Sequence, residues 1–133
     1  MLKNNKINQN VIEWLNKAQE DESSVEAIIK EKAAPGVACF LSQQMAEKFL
    51  KALLVFYKID IPKIHDLIRL ESILFDVVPD IKKMHNNIKI LNRYYIETRY
   101  PGDWPEGFSW DDAKEALESA VQIKEFVFDE VGI

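Results

Sequence analysis

The hydrophobic and polar positions of residues 37–58, VACFLSQQMAEKFLKALLVFYK, follow the period of an α-helix. With about 100° between successive residues, one half of the cylinder is apolar and a narrower opposite stripe is polar. The apolar half consists of Leu41, Met45, Ala46, Phe49, Leu50, Ala52, Leu53, Phe56 and Tyr57. The polar stripe consists of Gln43, Gln44, Glu47, Lys48 and Lys51, interleaved with Phe40, Leu54 and Val55. We expect a core helix whose mixed stripe contacts another surface.

The same spacing predicts two further helices around this stretch. The first covers about Asn10 to Lys32, and Pro35 with Gly36 is expected to end it. Another, short helix is expected after Pro62, capped by Asp66. Its inward positions are Leu67, Leu70, Ile73 and Leu74.

The spacing of apolar residues in the C-terminal half of the chain predicts two more helices separated by a loop. The fourth helix begins near Pro79 and is expected to run to about Thr98 or Arg99, with an exposed basic side of Lys82, Lys83, Lys89 and Arg93. Its apolar seam is Ile81, Met84, Ile88, Leu91 and Tyr95. Residues 99–110, RYPGDWPEGFSW, contain two prolines and two glycines and predict an ordered loop. Ser109 and Asp112 have the spacing of a capping box for the last helix.

Together these patterns predict an all-α fold, a compact antiparallel bundle of about five helices with a four-helix up-and-down core plus a short helix. No alternating strand pattern competes with it. The 133 residues are expected to form a single domain, with residues 1–9 as a loosely ordered N-terminus.

Charge and composition narrow the possible functions. The net charge is -5, but residues 37–100 carry ten Lys and Arg against seven Asp and Glu, whereas residues 101–133 carry two against nine. Duplex DNA binding is not indicated, while a small phosphorylated ligand or a short RNA stays possible on the middle segment. The chain has no apolar run that predicts a signal peptide or a membrane span, so we expect a soluble cytoplasmic protein. The single cysteine, Cys39, excludes an internal disulfide and is expected in the core.

Candidate chemistry is sparse. Glu47 and Lys51 form an i,i+4 pair, and their stripe is either a solvated face with local ion pairs or a seam that faces a partner. His65 is expected to tie its loop to a neighbour through a ring nitrogen, and His85 lies in the fourth helix beside its basic side. With two histidines and one cysteine, we predict no metal and no cofactor. No serine has the partners of a nucleophile, so no catalytic residue is predicted.

Arg99 is placed where the fourth helix is expected to end, before the turn at Pro101. Its guanidinium is expected to bind either a carboxylate or phosphate at the end of the bundle, or the last carbonyls of its own helix.

Three segments, CFLSQQMAEKFLKALL, IHDL and YYIETRYPG, occur in this order, and with them the chain resembles the HEPN domain family of prokaryotes over nearly its whole length. The resemblance implies a helical bundle, usually dimeric, often encoded beside a minimal nucleotidyltransferase in a two-component, toxin-antitoxin-like system. It also implies ribonuclease activity where an Arg is followed four to six residues later by His. That motif is absent, because no histidine follows Arg93 or Arg99 and fifteen residues separate Arg69 from His85.

We therefore expect a non-catalytic HEPN protein, homodimeric and paired with a nucleotidyltransferase, that could bind a nucleotide. The candidate nucleotide- or partner-binding residues are Gln44, Lys48, Lys51, His65, Arg99 and Tyr100. The candidate dimer seam is Phe40, Gln43, Glu47, Leu54 and Val55. The alternatives are a divergent metal-independent ribonuclease toxin in which folding brings His65 beside Arg99, and a helical interaction module without a small ligand.

Overall fold

The structure is a computed structural model that describes residues 7–95 and 107–133. Within these ranges the chain forms five α-helices and one 3-10 helix, and no strand. The helices are α1 (Gln9–Glu31), α2 (Pro35–Phe56), α3 (Leu67–Phe75), α4 (His85–Asn92) and α5 (Trp110–Val131), and the 3-10 helix is Pro79–Met84. The predicted all-α bundle is confirmed.

Helix α2 is the centre of the bundle, as its wide apolar arc predicts. Most of its side chains are buried, including the large groups Phe49, Leu50 and Leu53. It packs against α1 on one side and α5 on another. Because so much of its circumference is covered by its own chain, even the polar stripe of α2 lies partly inside the protein.

Ion pairs and hydrogen bonds fix the directions of the long helices. Lys48 of α2 contacts Asp21 of α1 at 2.7 Å, while Tyr57, just after α2, donates to Glu130 near the end of α5 at 2.8 Å. On the far side, Asn87 of α4 donates to Gln122 of α5 at 3.2 Å, and Arg93 lies 3.4 Å from Glu115. Lys51, later in α2, lies over Trp14, earlier in α1, so α1 and α2 are antiparallel, as are α4 and α5. Cys39 near the start of α2 is close to Asp112 near the start of α5, so these two helices run in the same direction.

The boundary between α1 and α2 differs from the prediction. Pro35 and Gly36 do not end α1; they are the first two residues of α2. Proline is well suited to that position because the first N–H groups of a helix have no partner within the helix. Helix α1 itself ends at Glu31, close to the predicted end at Lys32, and Lys32 caps it in a left-handed conformation with φ 54°, bonding the carbonyls of Ile28 and Ile29.

The fourth helix is shorter than predicted. It opens with the 3-10 turn and ends at Asn92 rather than near Thr98 or Arg99. The backbone N–H groups of Tyr94 and Tyr95 bond to carbonyls only three residues back, at 3.0 and 3.2 Å. This turn buries Tyr94 in edge-to-face contact with Phe108, with centroids 5.0 Å apart, and leaves the seam residue Tyr95 to stack on His65.

The connector between α2 and α3 runs back along α2. His65, at its end, contacts Gln43, more than three turns before the end of α2. Asp66 then caps α3 as predicted, accepting from the N–H of Ile68 at 2.9 Å. A second hydrogen bond holds the start of α3, because the side-chain oxygen of Asn92 in α4 accepts from the N–H of Leu67 at 2.8 Å. These bonds fix the segment that carries His65.

Helix α5 begins with the predicted capping box, in which the Ser109 hydroxyl accepts from the N–H of Asp112 and the Asp112 carboxylate accepts from the N–H of Ser109. None of the described helices is both long enough and apolar enough to cross a bilayer.

Candidate functional site

Three polar residues at successive i,i+4 positions of α2 lie on the face of the helix that the connector covers. Gln43, Glu47 and Lys51 are all buried, and His65 of the connector lies over them. The rings of Trp14 from α1 and Tyr95 from the turn after α4 adjoin this group. We call these six residues the Glu47 site.

The carboxylate of Glu47 is the centre of the site. Its Oε2 accepts from Lys51 Nζ at 2.8 Å and lies 2.9 Å from Nδ1 of His65. The side chains of Glu47 and Lys51 are only 8% and 7% exposed. An ion pair this deep is stabilising only when its geometry is good, because both charges lose their hydration. Glu47 thus holds an ammonium and an imidazole together in an interior position.

His65 is the most exposed residue of the site. Its side chain is 53% exposed, and its ring stacks on Tyr95 with centroids 5.7 Å apart and planes 21° apart. An ionised carboxylate can only accept, so Nδ1 carries the proton and Nε2 is directed to the other side of the ring. Gln43 further fixes the residue by donating from Nε2 to the His65 carbonyl at 3.2 Å.

Lys51 lies between the carboxylate and an aromatic ring. Its ammonium is 6.0 Å from the centroid of the Trp14 indole, a cation–π distance. The indole and Glu47 thus replace part of the hydration that burial removes from the ammonium. Lys51 supports Glu47 from beneath and does not itself face solvent.

Two oxygen atoms of the Glu47 site have no donor among the described residues. They are Oε1 of Gln43 and Oε1 of Glu47, both closed to solvent. Leaving a buried acceptor without a partner costs about 1–3 kcal/mol. Such atoms are uncommon in folded proteins and mark places where a further donor would be stabilising.

The structure brings some of the predicted binding residues together and separates others. Lys51 and His65 share the Glu47 site, whereas Lys48 turns to α1 and pairs with Asp21. Gln44 is half-buried on α2. Arg99 and Tyr100 lie outside the described residues, so the proposed approach of Arg99 to His65 also lies outside them.

The predicted dimer seam is largely inside the chain. Gln43 and Leu54 are fully buried and Glu47 is nearly so, because the connector and the neighbouring helices cover the stripe. Phe40 and Val55 are the partly exposed members. The solvated-face interpretation of Glu47 and Lys51 is wrong, since their ion pair is present but buried. The ring-nitrogen tie expected of His65 is confirmed.

A second buried glutamate holds the other histidine, and the sequence did not predict this pair. Glu71 of α3 is 2% exposed and receives Nδ1 of His85 at 2.8 Å, with Lys82 3.6 Å away. His85 was placed by its sequence beside a basic face, but its partner is this carboxylate. The available signal was Glu71 itself, an acidic residue next to the inward position Leu70.

Cys39 is buried, as predicted. Burial, aided by the nearby Asp112 carboxylate, raises the pKa of its thiol to about 11, so it is not a ready nucleophile. No group of three or more His, Cys, Asp or Glu in residues 7–95 and 107–133 could hold a metal ion.

Comparisons with known proteins place the chain in a family. The HEPN domain model matches residues 11–131. The fold is similar to the crystal structure of ST0689, an archaeal HEPN homologue, with a TM-score of 0.72 and 28% identity over 91% of this chain and 97% of that one. It is also similar to the crystal structure of TT1696 from Thermus thermophilus, with a TM-score of 0.79 and 28% identity over 92% and 98%. No curated protein matches. Since the family match covers nearly the whole chain, this protein belongs to the HEPN domain family.

Proposed function

We propose that this HEPN domain protein is a non-catalytic binding subunit that takes a nucleotide at the Glu47 site and works as the homodimeric partner of a minimal nucleotidyltransferase. The observation that supports the nucleotide site is the half-exposed imidazole of His65, held at 2.9 Å by the buried carboxylate of Glu47. The carboxylate positions the ring through Nδ1, and Nε2, which bonds to none of the described residues, is the nitrogen that would meet a ligand at the surface.

The aromatic character of the site supports a ligand with a flat ring. His65 and Tyr95 already stack on each other, and stacking of a base on an aromatic side chain is worth about 1–3 kcal/mol. The buried charges of Glu47 and Lys51 balance each other, so the site does not attract an anion by charge alone. Recognition would therefore depend on the base, with the phosphates extending towards solvent or a partner.

Isothermal titration calorimetry with nucleoside triphosphates tests the binding role. We expect saturable heat with the wild-type protein and its loss in His65→Ala. The matched control is His85→Ala, which removes the other histidine held by a buried glutamate and should leave binding unchanged. Absence of heat with every nucleotide, for the protein alone and with its nucleotidyltransferase, would contradict the proposal.

Dimerisation and partner binding need separate tests. Phe40 and Val55, the partly exposed members of the predicted seam, support a self-association surface on α2. Light scattering after size exclusion should give twice the 15.4 kDa mass of the chain. Co-expression with a minimal nucleotidyltransferase from the same genome should yield a co-eluting complex; a monomer that never co-elutes would argue against this part of the proposal.

One observation favours a second candidate, a metal-independent ribonuclease. A carboxylate that orients an imidazole is an arrangement suited to general acid–base chemistry, and the Glu47–His65 pair has it. Cleavage of single-stranded RNA in the presence of EDTA, abolished in His65→Ala and retained in His85→Ala, would establish this activity. If the wild-type protein does not cleave RNA, the ribonuclease candidate is rejected and the binding function is retained.

A further inference from the structure

Two buried oxygens of the Glu47 site accept no hydrogen bond from the described residues. The identity of the free oxygen of Gln43 is fixed by chemistry, because the amide group that faces the His65 carbonyl must be the donor Nε2. Oε1 is then the atom without a partner. In Glu47, Oε2 receives both Lys51 and His65, and Oε1 is left.

The two oxygens come from residues one helical turn apart. Gln43 and Glu47 are an i,i+4 pair, whose Cβ atoms are about 5–6 Å apart on a helix. An –NH₂ group donates along two directions about 120° apart, and with N···O distances near 2.9 Å its two acceptors lie about 5 Å apart. The i,i+4 spacing of Gln43 and Glu47 therefore allows a single amino nitrogen to reach both oxygens. A hydroxyl, with one hydrogen, can satisfy only one of them.

A carbonyl in the same place would be strongly disfavoured. The carbonyl oxygen of the base would face the two glutamine and glutamate oxygens, and none of the three could donate a hydrogen bond. In the protein interior, water would not replace the missing hydrogen bonds. Sites built to bond a particular polar group discriminate well against analogues that lack it. The unpaired oxygens thus distinguish an amino base from a keto base more sharply than stacking can.

We propose that the Glu47 site selects nucleotides whose base carries an exocyclic amino group, and that Oε1 of Gln43 and Oε1 of Glu47 receive that group while the base packs at the His65 and Tyr95 rings. This inference rests on the proposed nucleotide binding and adds its specificity. Both oxygens are closed to water, so the ligand reaches them by displacing side chains that cover them. His65 is the most exposed residue of the site, and the Trp14 and Tyr95 side chains are partly exposed beside it.

The test compares nucleotide pairs that differ in the amino group. Calorimetry with the full-length protein should show ATP binding at least about tenfold more tightly than ITP, and CTP at least about tenfold more tightly than UTP, the ratio expected when a buried acceptor loses its donor. Gln43→Met keeps the length of the side chain and removes Oε1, so the ATP to ITP ratio should fall. Glu71→Gln alters a buried glutamate outside the site and should keep the wild-type ratio.

The outcomes separate the two proposals. Equal affinity for ATP and ITP and for CTP and UTP would overturn the amino-group selection while leaving nucleotide binding intact. Absence of binding by all four nucleotides would overturn both. An unchanged ratio in a folded Gln43→Met protein would also overturn the assignment to these oxygens. Should that variant not fold, the wild-type comparison decides alone.

Discussion

His65 Nδ1 lies 2.9 Å from Oε2 of Glu47, although the two residues belong to segments that run in opposite directions, a connector and the central helix. Glu71 and His85 repeat the arrangement between α3 and α4 at 2.8 Å. Both histidines of the chain are therefore held through Nδ1 by a buried carboxylate. The pairs differ in their surroundings, since only Glu47 also holds a buried lysine. This difference makes each pair a control for the other.

Glu47→Gln should be strongly destabilising. The substitution keeps the shape of the side chain but leaves the ammonium of Lys51 buried without a counter-charge, and breaking a buried pair in this way costs about 3–5 kcal/mol. Urea unfolding followed by circular dichroism measures the free energy of unfolding. The double variant Glu47→Gln with Lys51→Met should recover part of the loss, because it removes the unpaired charge.

The matched surface control is Glu20→Gln. Glu20 pairs with Lys17 at 3.6 Å, but both side chains are 67% exposed. Such pairs contribute about 0–1 kcal/mol, so this variant should unfold close to the wild type. Equal effects of Glu47→Gln and Glu20→Gln would show that the Glu47 pair is solvated in solution.

Cys39 should resist thiol reagents in the folded protein. Burial raises the pKa of its thiol to about 11, with the Asp112 carboxylate adding to the effect. At about pH 8 a free thiol is partly ionised, whereas this one is almost wholly protonated. Since Cys39 is the single cysteine, reaction with Ellman's reagent reports on it directly: slow in buffer, fast in denaturant. A native rate equal to the denatured rate would contradict its burial.

The helices follow from the sequence because their determinants are local. Periodic apolar positions located α1, α2, α3 and α5, and Asp66 and Ser109 cap the helices for which they were predicted. The end of α4 could not be located in this way. It depends on Tyr94 packing against Phe108, a residue fourteen positions later that no window along the helix includes.

The candidate site was predictable only in part. The pattern marked the polar stripe of α2 as unusual, and the pairing of Glu47 with Lys51 follows from their spacing. The burial of this pair does not follow from the spacing. The connector that covers the pair returns along α2, and a sequence pattern carries no information on the path of the connector. The returning connector brings His65 to Glu47, eighteen positions earlier in the sequence. It thereby buries a polar stripe that the sequence pattern alone predicted to be an interface.

The capping box of α5 should lose its effect in acid. The N–H of Ser109, which bonds the Asp112 carboxylate, is the main cause that lowers the pKa of Asp112, with further contributions from the Ser109 hydroxyl and Arg93. A lowered folded pKa means that the carboxylate stabilises the fold above its unfolded pKa of 3.8, and that this contribution is lost as pH falls through the folded value. Asp112→Asn should therefore be less stable than wild type near neutral pH, and the difference should shrink in acid. Thermal unfolding across the pH range measures it. A difference independent of pH would contradict the mechanism.

Ser109→Ala removes the other half of the same box and serves as a comparison with a weaker pH dependence, because the hydroxyl is a lesser cause of the lowered pKa of Asp112 than the Ser109 N–H. Loss of a serine N-cap costs about 1 kcal/mol. Because the hydroxyl does not titrate in this range, most of its deficit should remain in acid, unlike that of Asp112→Asn.

Tyr57 should be among the last tyrosines to ionise. Burial first, and then its 2.8 Å hydrogen bond to the carboxylate of Glu130, raise its pKa to about 12. The protonated phenol is favoured by the fold, so its stabilising contribution is complete below the ordinary pKa of 10 and is lost as pH rises through about 12.

Tyr57→Phe should cost about 1 kcal/mol near neutral pH through loss of the hydrogen bond, and the cost should vanish in strong base. Absorbance titration of phenolate formation should show a late component in wild type that Tyr57→Phe reduces. An unchanged late component would assign it to Tyr94, whose pKa burial also raises, and would show that the link between α2 and α5 does not protect Tyr57.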